Sequence, residues 1–360
     1  MQTIAKYFFY LSLISIAIFT SCEKDDPNND DDPNPDTSCF DHIDMAAHLE
    51  SAGKTIFINS DEGWVLGGKS LVHTEDGGAT WALMNDDMSC AHEQIKFINS
   101  TDGYLIDDFS GVRYSTDKGI SWTEMIFPNP DNDQLLIYAT ASNSTTTVML
   151  AWVNTTVSAL FFVSNSTHNV TNTVLINEMI IPGKKMHLSE SGVINIAPVT
   201  RDGHDLKEIA YSADNGLTWT YTEIAGDGKV KGNPWDCDIS FPDDNTGYFA
   251  GKDNGYDKAY IYKSSNGGSS WTKISIPSSV MHYNFTQIDF ADANHGLGIG
   301  LGSIHKTSDG GETWIEFPCF DEKYISTFSV SYPDAEHGFI AGLNGADADY
   351  SCRIYKYTGQ

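Results

Sequence analysis

Basic residues are scarce in this chain of 360 residues. Its 21 Lys and Arg face 49 Asp and Glu, which gives a formal net charge of −28. Phosphate backbones are bound by clustered Lys and Arg, so this composition excludes nucleic acid as a partner. Direct contact with an anionic membrane surface is disfavoured for the same reason.

Short motifs of several enzyme and metal classes are also missing. The chain has no Gly-x-Ser-x-Gly nucleophile elbow and no Cys-x-x-Cys pair, so a serine hydrolase of that type and a cysteine zinc or redox site are not indicated. We therefore predict no metal, no cofactor and no catalytic residue. His42, Asp44 and His48 have a metal-ligand spacing, which we interpret as incidental.

An uncharged, mostly apolar run occurs at residues 7–19, behind Lys6. Residues 1–21 are therefore typical of a signal peptide, which is short for a membrane span and is normally removed. The four residues ending at Cys22, Phe-Thr-Ser-Cys, resemble a lipobox, which predicts that Cys22 is lipidated and becomes the new N-terminus. The alternative is an ordinary signal peptide followed by an incidental cysteine.

Residues 22–38 have the composition of a solvated tether. Seven acids and three prolines fall within residues 23–38, which cannot form a core. The acidic start resembles the export tag of surface-displayed lipoproteins. We predict an outer membrane lipoprotein exposed at the cell surface and attached to the membrane only through its lipid. A lipoprotein facing the periplasm is the alternative.

The pattern Ser/Thr-x-Asp-x-Gly-x-Ser/Thr-Trp occurs five times. The acid positions are Asp76, Asp117, Asp214, Asn266 and Asp309, and the closing tryptophans are Trp81, Trp122, Trp219, Trp271 and Trp314. Side-chain oxygens ahead of a glycine can accept hydrogen bonds from nearby backbone N–H groups, and glycine tolerates a left-handed conformation. Each copy therefore predicts a structural turn between antiparallel strands, with the tryptophan beginning the next strand.

The spacing of these tryptophans sets the length of a repeat. Successive distances along the chain are 41, 97, 52 and 43 residues, and the longest is about two repeats. Units of this length with four short strands are typical of propeller blades, which must stack on their neighbours. The sequence therefore predicts an all-β fold, a single seven-bladed β-propeller over residues 39–360.

These repeats resemble the Asp-box, or BNR, repeat of sialidases, sortilin-type propellers and Ycf48-like photosystem assembly factors. The closest likeness is to the Ycf48-like type, through Phe290-x5-Gly296-Leu-Gly-Ile-Gly running into residues 306–314. The resemblance covers roughly residues 53–358 and implies the propeller fold.

The same resemblance does not carry an activity to this chain. A sialidase needs several arginines converging on a substrate carboxylate, and Ycf48-like proteins act in assembly through a basic arginine patch. The chain has only Arg113, Arg201 and Arg353, so neither property is expected here.

Two of the seven units depart from the pattern. Residues 135–176 have strand-like runs without the box, and residues 326–357 end after a third strand. We expect residues 39–50 to supply the missing fourth strand, which would close the ring and cover both sheet edges. The helical spacing of Phe40, Ile43 and Ala47 leaves a helix as the alternative.

Five cysteines besides Cys22 fall near one face of the predicted ring. An exported protein can form disulfides, and an odd number leaves one thiol over. We predict the pairs Cys39–Cys90 and Cys319–Cys352, with Cys237 unpaired, and Cys39–Cys352 is the rival pairing.

Long loops on this face are the best candidates for a ligand site. The loops 198–205, 252–258 and 344–350 exceed their counterparts, and the crossover 226–236 adds Trp235. Aromatic rings suit a sugar or a protein hot spot, so we predict ligand contacts from Trp235, Tyr256, Arg201 and His204. Packing between blades is an equally good interpretation of Trp235.

Together these features favour a non-catalytic propeller that binds a protein or a glycan at the cell surface. The alternative is a glycan-cleaving enzyme, which needs two facing acids. Asp107 and Asp108, at the end of a second strand, and Asp253 in the matching strand of another blade are its candidates.

The lipobox generates a direct prediction. Cys22→Ser removes the only acylated atom, so the variant should leave the membrane fraction while the wild type stays. Fractionation and mass spectrometry of the mature N-terminus measure this, and a variant that stays on the membrane would contradict the anchor.

The predicted surface exposure is tested with protease on intact cells, which should digest the wild-type protein. Protection until the outer membrane is opened would show that the protein faces the periplasm.

Overall fold

The computed structural model describes residues 41–45, 49, 53–88, 92–107, 111–128, 135–154, 157–176, 181–200, 208–224, 237–252, 259–274, 285–300, 303–317, 325–344 and 351–358. Every regular element in these ranges is a β-strand. Among the same residues, no helix has the length and apolar character that spanning a membrane requires.

The strands of the first four blades follow β1 (Asp41–Asp44). Blade 1 has β2 (Lys54–Phe57), β3 (Gly63–Gly67), β4 (Ser70–Thr74) and β5 (Ala82–Asn85). Blade 2 has β6 (His92–Phe97), β7 (Gly103–Asp107), β8 (Gly111–Ser115) and β9 (Thr123–Glu124). Blade 3 has β10 (Leu136–Ser142), β11 (Thr146–Asn154), β12 (Val157–Ser164) and β13 (Val170–Ile176). Blade 4 has β14 (Ile181–Leu188), β15 (Ile194–Thr200), β16 (Glu208–Ser212) and β17 (Thr220–Glu223).

Three blades complete the ring. Blade 5 has β18 (Cys237–Ser240), β19 (Gly247–Lys252), β20 (Ala259–Ser264) and β21 (Thr272–Ile274). Blade 6 has β22 (Gln287–Phe290), β23 (Gly296–Ile299), β24 (Ile304–Thr307) and β25 (Ile315–Glu316). Blade 7 has β26 (Ile325–Asp334), β27 (His337–Asn344) and β28 (Ser351–Tyr357). All seven sheets are four-stranded and antiparallel, which confirms the predicted all-β, seven-bladed propeller.

The fourth strand of blade 7 comes from the other end of the described chain. β1 pairs with β28 in antiparallel register from Asp41 opposite Lys356 to Asp44 opposite Arg353. The Met45 amide then donates to the Cys352 carbonyl at 2.9 Å. Residues 41–44 are therefore the closing strand expected from the sequence, and the alternative of a helix there is wrong.

The core is divided among the blade interfaces. Seven clusters of buried apolar side chains occur, one between each pair of adjacent blades. The cluster between blades 7 and 1 includes Met45 and Leu49 with Phe57 and Phe339. Because a strand alternates its side chains between two faces, each blade contributes to two clusters and cannot bury either face alone.

A phenylalanine at the end of the first strand recurs at these interfaces. Phe57 stacks on Phe339 of blade 7 with ring centroids 3.4 Å apart, and Phe290 stacks on Tyr248 of blade 5 at 3.6 Å. The glycine that begins the second strand lies under the ring: a Cβ on Gly296 would be 2.6 Å from Phe290. The Phe-x5-Gly spacing therefore reflects close packing of ring on backbone.

The five box turns, defined as the eight-residue segments ending in the repeated tryptophans, share one hydrogen-bond pattern. In residues 307–314, the Thr307 hydroxyl accepts from the Gly311 amide at 2.9 Å, and Asp309 accepts from the Thr313 amide at 2.9 Å. The Trp314 indole N–H donates to the Gly311 carbonyl at 3.1 Å. Gly311 has a φ of 86°, which suits glycine.

Blades 5 and 3 form the corresponding turn with different residues. In blade 5 the Asn266 amide group donates to the Ser270 hydroxyl at 2.9 Å, so the turn is kept without a charge. In blade 3, which has no box, the Asn165 side chain accepts from the Thr147 hydroxyl at 2.7 Å and donates to the Asn143 carbonyl at 2.9 Å. A single asparagine thus joins the two turns of that blade.

The box tryptophans differ in burial, and this predicts unequal costs of truncation. Trp314 is 6% exposed and packs on Phe285 and Phe290, whereas Trp122 is half-buried. Trp314→Ala should cost about 3–5 kcal/mol through cavity formation, and Trp122→Ala should cost less. Denaturant unfolding monitored by circular dichroism compares the two variants, and an equal or smaller cost at Trp314 would contradict this account.

Candidate functional site

The first strands of the seven blades surround a central cavity of about 440 Å³. Every blade contributes to its wall, from Thr55 in blade 1 to Ser331 in blade 7. The wall is rich in polar and charged side chains, namely Lys54, Gln94, Lys96, Thr140, Lys185, Asp238, Gln287, Asp289, Ser329 and Ser331. We call this cavity the central channel.

Acidic side chains of the channel accept hydrogen bonds from the first strand of the next blade. The Asp238 carboxylate accepts from the Ile288 amide at 3.1 Å, and the Asp289 carboxylate accepts from the Tyr332 amide at 2.8 Å. Between them, the Ser240 hydroxyl accepts from the Phe290 amide at 3.0 Å. These bonds satisfy backbone donors at the inner edges of blades 6 and 7, where no further strand is present.

Hydrogen bonds of the same kind, from a backbone amide to a side chain, link the last blade to the first. The Ser329 hydroxyl accepts from the Thr55 amide at 3.2 Å, and the Ser331 hydroxyl accepts from the Phe57 amide at 3.0 Å. Serine and aspartate therefore occupy equivalent positions along the first strands and make equivalent contacts. This equivalence indicates that Asp238 and Asp289 hold blades together.

Asp238 is also paired with a base. Lys185 Nζ lies 3.0 Å from Asp238 Oδ1, and the Asp238 side chain is 7% exposed. Burial raises the pKa of Asp238, while the attraction to Lys185 acts in the opposite direction. The pair joins a buried carboxylate to a partly exposed ammonium, and the added backbone donors help to make the buried carboxylate tolerable.

Asp289 has no base in hydrogen-bond contact in the described part of the chain. Burial raises the pKa of Asp289 to about 7, against the Tyr332 amide bond that lowers it, and the nearby Asp238 raises it further. Near neutral pH this carboxyl group is therefore divided between its neutral and charged forms.

Lys96 is a second channel residue with a shifted pKa. It lines the channel from blade 2, and burial lowers the pKa of Lys96 to about 8. No acceptor or carboxylate contacts its ammonium among the described residues. Its charge also contributes, after burial, to lowering the pKa of His187 to about 4.

One cluster outside the channel has the composition of a metal site. Single ligand atoms of Glu62, His73 and Glu75 lie within 4.8 Å of one another, and His73 Nε2 is 3.2 Å from Glu62 Oε1. Lys118 from the neighbouring box turn forms an ion pair with Glu75. A cation already balances this cluster, so its present contacts explain it without a metal.

The ligand residues predicted from sequence cannot be placed in this geometry. Trp235, Tyr256, Arg201 and His204 lie outside the described residues, as do Cys22, Cys39, Cys90, Cys319, His48, Asp108 and Asp253. Cys237 and Cys352 are described and buried. Because Cys39, Cys90 and Cys319 lie outside the described residues, the disulfide pairs stay predictions. Asp107 ends β7, while Arg113 and Arg353 lie in the third strands of blades 2 and 7, as expected.

Residues 63–70 also carry a misleading motif. They read Gly-Trp-Val-Leu-Gly-Gly-Lys-Ser and so match the Gly-x4-Gly-Lys-Ser pattern of phosphate-binding loops. In the structure they are β3, a tight turn and the start of β4. The loop that leads into a helix N-terminus, which phosphate binding requires, is not formed by these residues.

Sequence analysis missed the charged residues of the channel. Lys96, Asp238 and Asp289 each lie between apolar residues in a first strand, where polar and apolar side chains alternate. A charge at such an alternating position of an innermost strand is the available signal. The pattern by itself does not show which of these charges face one cavity.

Comparisons with known proteins support the fold. No family model matches the chain, and no curated protein matches it. Solved structures do: YCF48 bound to a D1 peptide is 16% identical with a TM-score of 0.60, covering 89% of this chain and 97% of that one. YCF48 from Cyanidioschyzon merolae is 16% identical with a TM-score of 0.61, covering 88% and 98%.

A streptogramin B lyase structure is similar to the same degree, with a TM-score of 0.61 at 8% identity, covering 89% of this chain and 97% of that one. At such identities the likeness concerns the fold alone. Proteins with different printed activities share it, so the function has to be argued from the residues of this chain.

The raised pKa of Asp289 predicts a pH-dependent stability. The charged form is disfavoured by folding, so stability is greatest below the unfolded pKa near 4 and falls until the pH passes about 7. Asp289→Asn should abolish this loss and gain on the order of 4 kcal/mol over wild type at pH 8, with little difference at pH 4. Thermal unfolding across this range measures it, with exposed Asp86→Asn as the control. A constant difference between pH 4 and pH 8 would refute the prediction.

Proposed function

We propose that this protein is a lipid-anchored propeller at the cell surface that captures a protein partner and has no catalytic activity. The proposal combines a rigid ring, a predicted tether and a set of predicted contact residues. The contacts of the acidic residues in the channel support capture rather than catalysis.

The observation that carries the proposal is the use of the channel acids. A glycoside hydrolase typically needs two carboxyl groups that face its substrate, one of them free to exchange a proton. Asp238 is held by Lys185 and the Ile288 amide, and Asp289 by the Tyr332 amide and the Ser240 hydroxyl. Serines make the same links between blades 7 and 1, so these acids are explained by assembly of the ring.

The comparison with solved structures supports a protein partner. One structure of the same fold is that of YCF48 bound to a D1 peptide. A propeller of this size therefore can present a face to a polypeptide. The same partner is not inferred for the present protein, because its sequence has only three arginines and no arginine cluster.

The site of capture that we propose is the loop set predicted from sequence. Trp235 and Tyr256 would supply aromatic anchors, which usually dominate the affinity of an interface. Arg201 and His204 would add polar contacts, and a lone cation in an acidic protein would help to orient the partner. The lipid on Cys22 would anchor the propeller through a tether, and residues 23–38 of this tether would span at most roughly 50 Å when extended.

Capture by intact cells tests the proposal. Crosslinking of cells that display the wild-type protein should identify a specific partner, and Trp235→Ala or Tyr256→Ala should weaken capture at least tenfold, because truncating an anchor commonly costs about 2 kcal/mol or more. Thermal unfolding should stay near that of the wild type. Leu217→Ala is the control, because Leu217 is 70% exposed in a box turn.

Three results would contradict this proposal. Capture that is unchanged in both aromatic variants would remove the proposed face. Release of products from a purified glycan, abolished by Asp107→Asn or Asp108→Asn while glycan retention persists, would show a glycan-cleaving enzyme instead. Retention of a glycan without products would replace the protein partner by a carbohydrate.

A further inference from the structure

We propose that the central channel binds the carboxylate group of a small ligand, with the Lys96 ammonium as its counter-ion. This inference rests on the proposed binding function and names a chemical group that the ligand would present. It concerns described residues, whereas the predicted capture loops lie outside them.

Basic residues outnumber acidic residues in the lining of the channel, whereas acidic residues outnumber basic ones in the whole chain. The whole chain carries a formal charge of −28, yet three lysines and two aspartates line the channel, namely Lys54, Lys96, Lys185, Asp238 and Asp289. Lys185 compensates Asp238 at 3.0 Å. Asp289 is charged in only part of the molecules near neutral pH, since its pKa is about 7. With Lys185 paired to Asp238, the Lys96 ammonium leaves a positive charge in the channel wall of an acidic protein.

Lys96 is the uncompensated charge in this wall. Its pKa of about 8 leaves most molecules protonated at neutral pH, and burial is the one cause of the lowered value. A charge removed from water without a partner is costly unless something pairs with it. An incoming anion would lower this cost.

The remaining wall suits one negative charge on a small group. Thr140 adds a hydroxyl to the lining, and this hydroxyl can donate to a carboxylate oxygen. Asp238 and Asp289 in the same wall would repel a dianion, which argues against phosphate. The volume of about 440 Å³ lies within the range of small-ligand pockets.

Two pairs of probes test the chemical group and its source. N-acetylglycine carries the carboxylate of a peptide end, and N-acetylglycinamide is its neutral match. Glucuronate carries the carboxylate of an acidic sugar, and glucose is its neutral match. Calorimetry on the purified full chain should show binding of at least one acid and at least tenfold weaker binding of its neutral match. The acid that binds identifies the source.

Variants test the role of Lys96. Lys96→Met removes the charge at similar volume and should weaken binding of the acid at least tenfold. Its melting temperature should equal or exceed that of the wild type, because an unpaired and partly buried charge is lost. Lys96→Arg should retain binding. Lys273→Met is the control, because it removes the same charge from an exposed position on the outer strand of blade 5.

Three results would overturn the site: neither acid binds, the neutral probes bind as well as the acids, or Lys96→Met binds as the wild type does. Inorganic phosphate binding more tightly than either acid would overturn the carboxylate assignment. Partner capture on cells that depends on Trp235, with no acid bound in the channel, would sink this inference and leave the proposed function standing. Binding of an acid through Lys96, with no partner captured on cells, would support the channel site and contradict the proposed capture function.

Discussion

An antiparallel blade leaves the inner edge of its first strand without a sheet partner, and seven such edges meet around the axis of this ring. Buried backbone donors must be hydrogen-bonded, so side chains of one first strand accept from the amides of the next. Ser329 and Ser331 extend this device to Thr55 and Phe57 of blade 1. With β1 on β28 at the outer edge, blade 7 is held at both ends of the sheet.

The same constraint governs what the channel can do. Because hydroxyls and carboxylates are engaged between blades, the acids that might suggest a hydrolase serve assembly. The ammonium of Lys96 makes no contact of this kind among the described residues, and it is therefore available to a ligand. A rigid ring with one uncompensated cation is suited to recognition, since its donors are held in place before the ligand arrives.

Much of the architecture was readable from local patterns. The five box turns, the Phe-x5-Gly spacing and the missing strand of the last unit predicted the blade count and its closure by residues 39–50, and residues 41–44 do close it. The turns are predictable because each depends on contacts within eight residues, such as Thr307 with Gly311. Blade 3 departs from the pattern, and Asn165 shows that a turn can be kept by a residue with no repeat signature.

The amino-acid sequence by itself determined the repeat, the fold and the acidic composition, because these follow from short-range hydrogen bonding, alternation and residue counts. The tertiary structure alone decided which charges face one another in the channel. Asp238 and Lys185 are 53 residues apart and meet only because blades 4 and 5 are adjacent. Asp289 and Lys96 acquire shifted pKa values through burial in a wall built by all seven blades. Desolvation depends on the closed ring, so no local pattern could have revealed it.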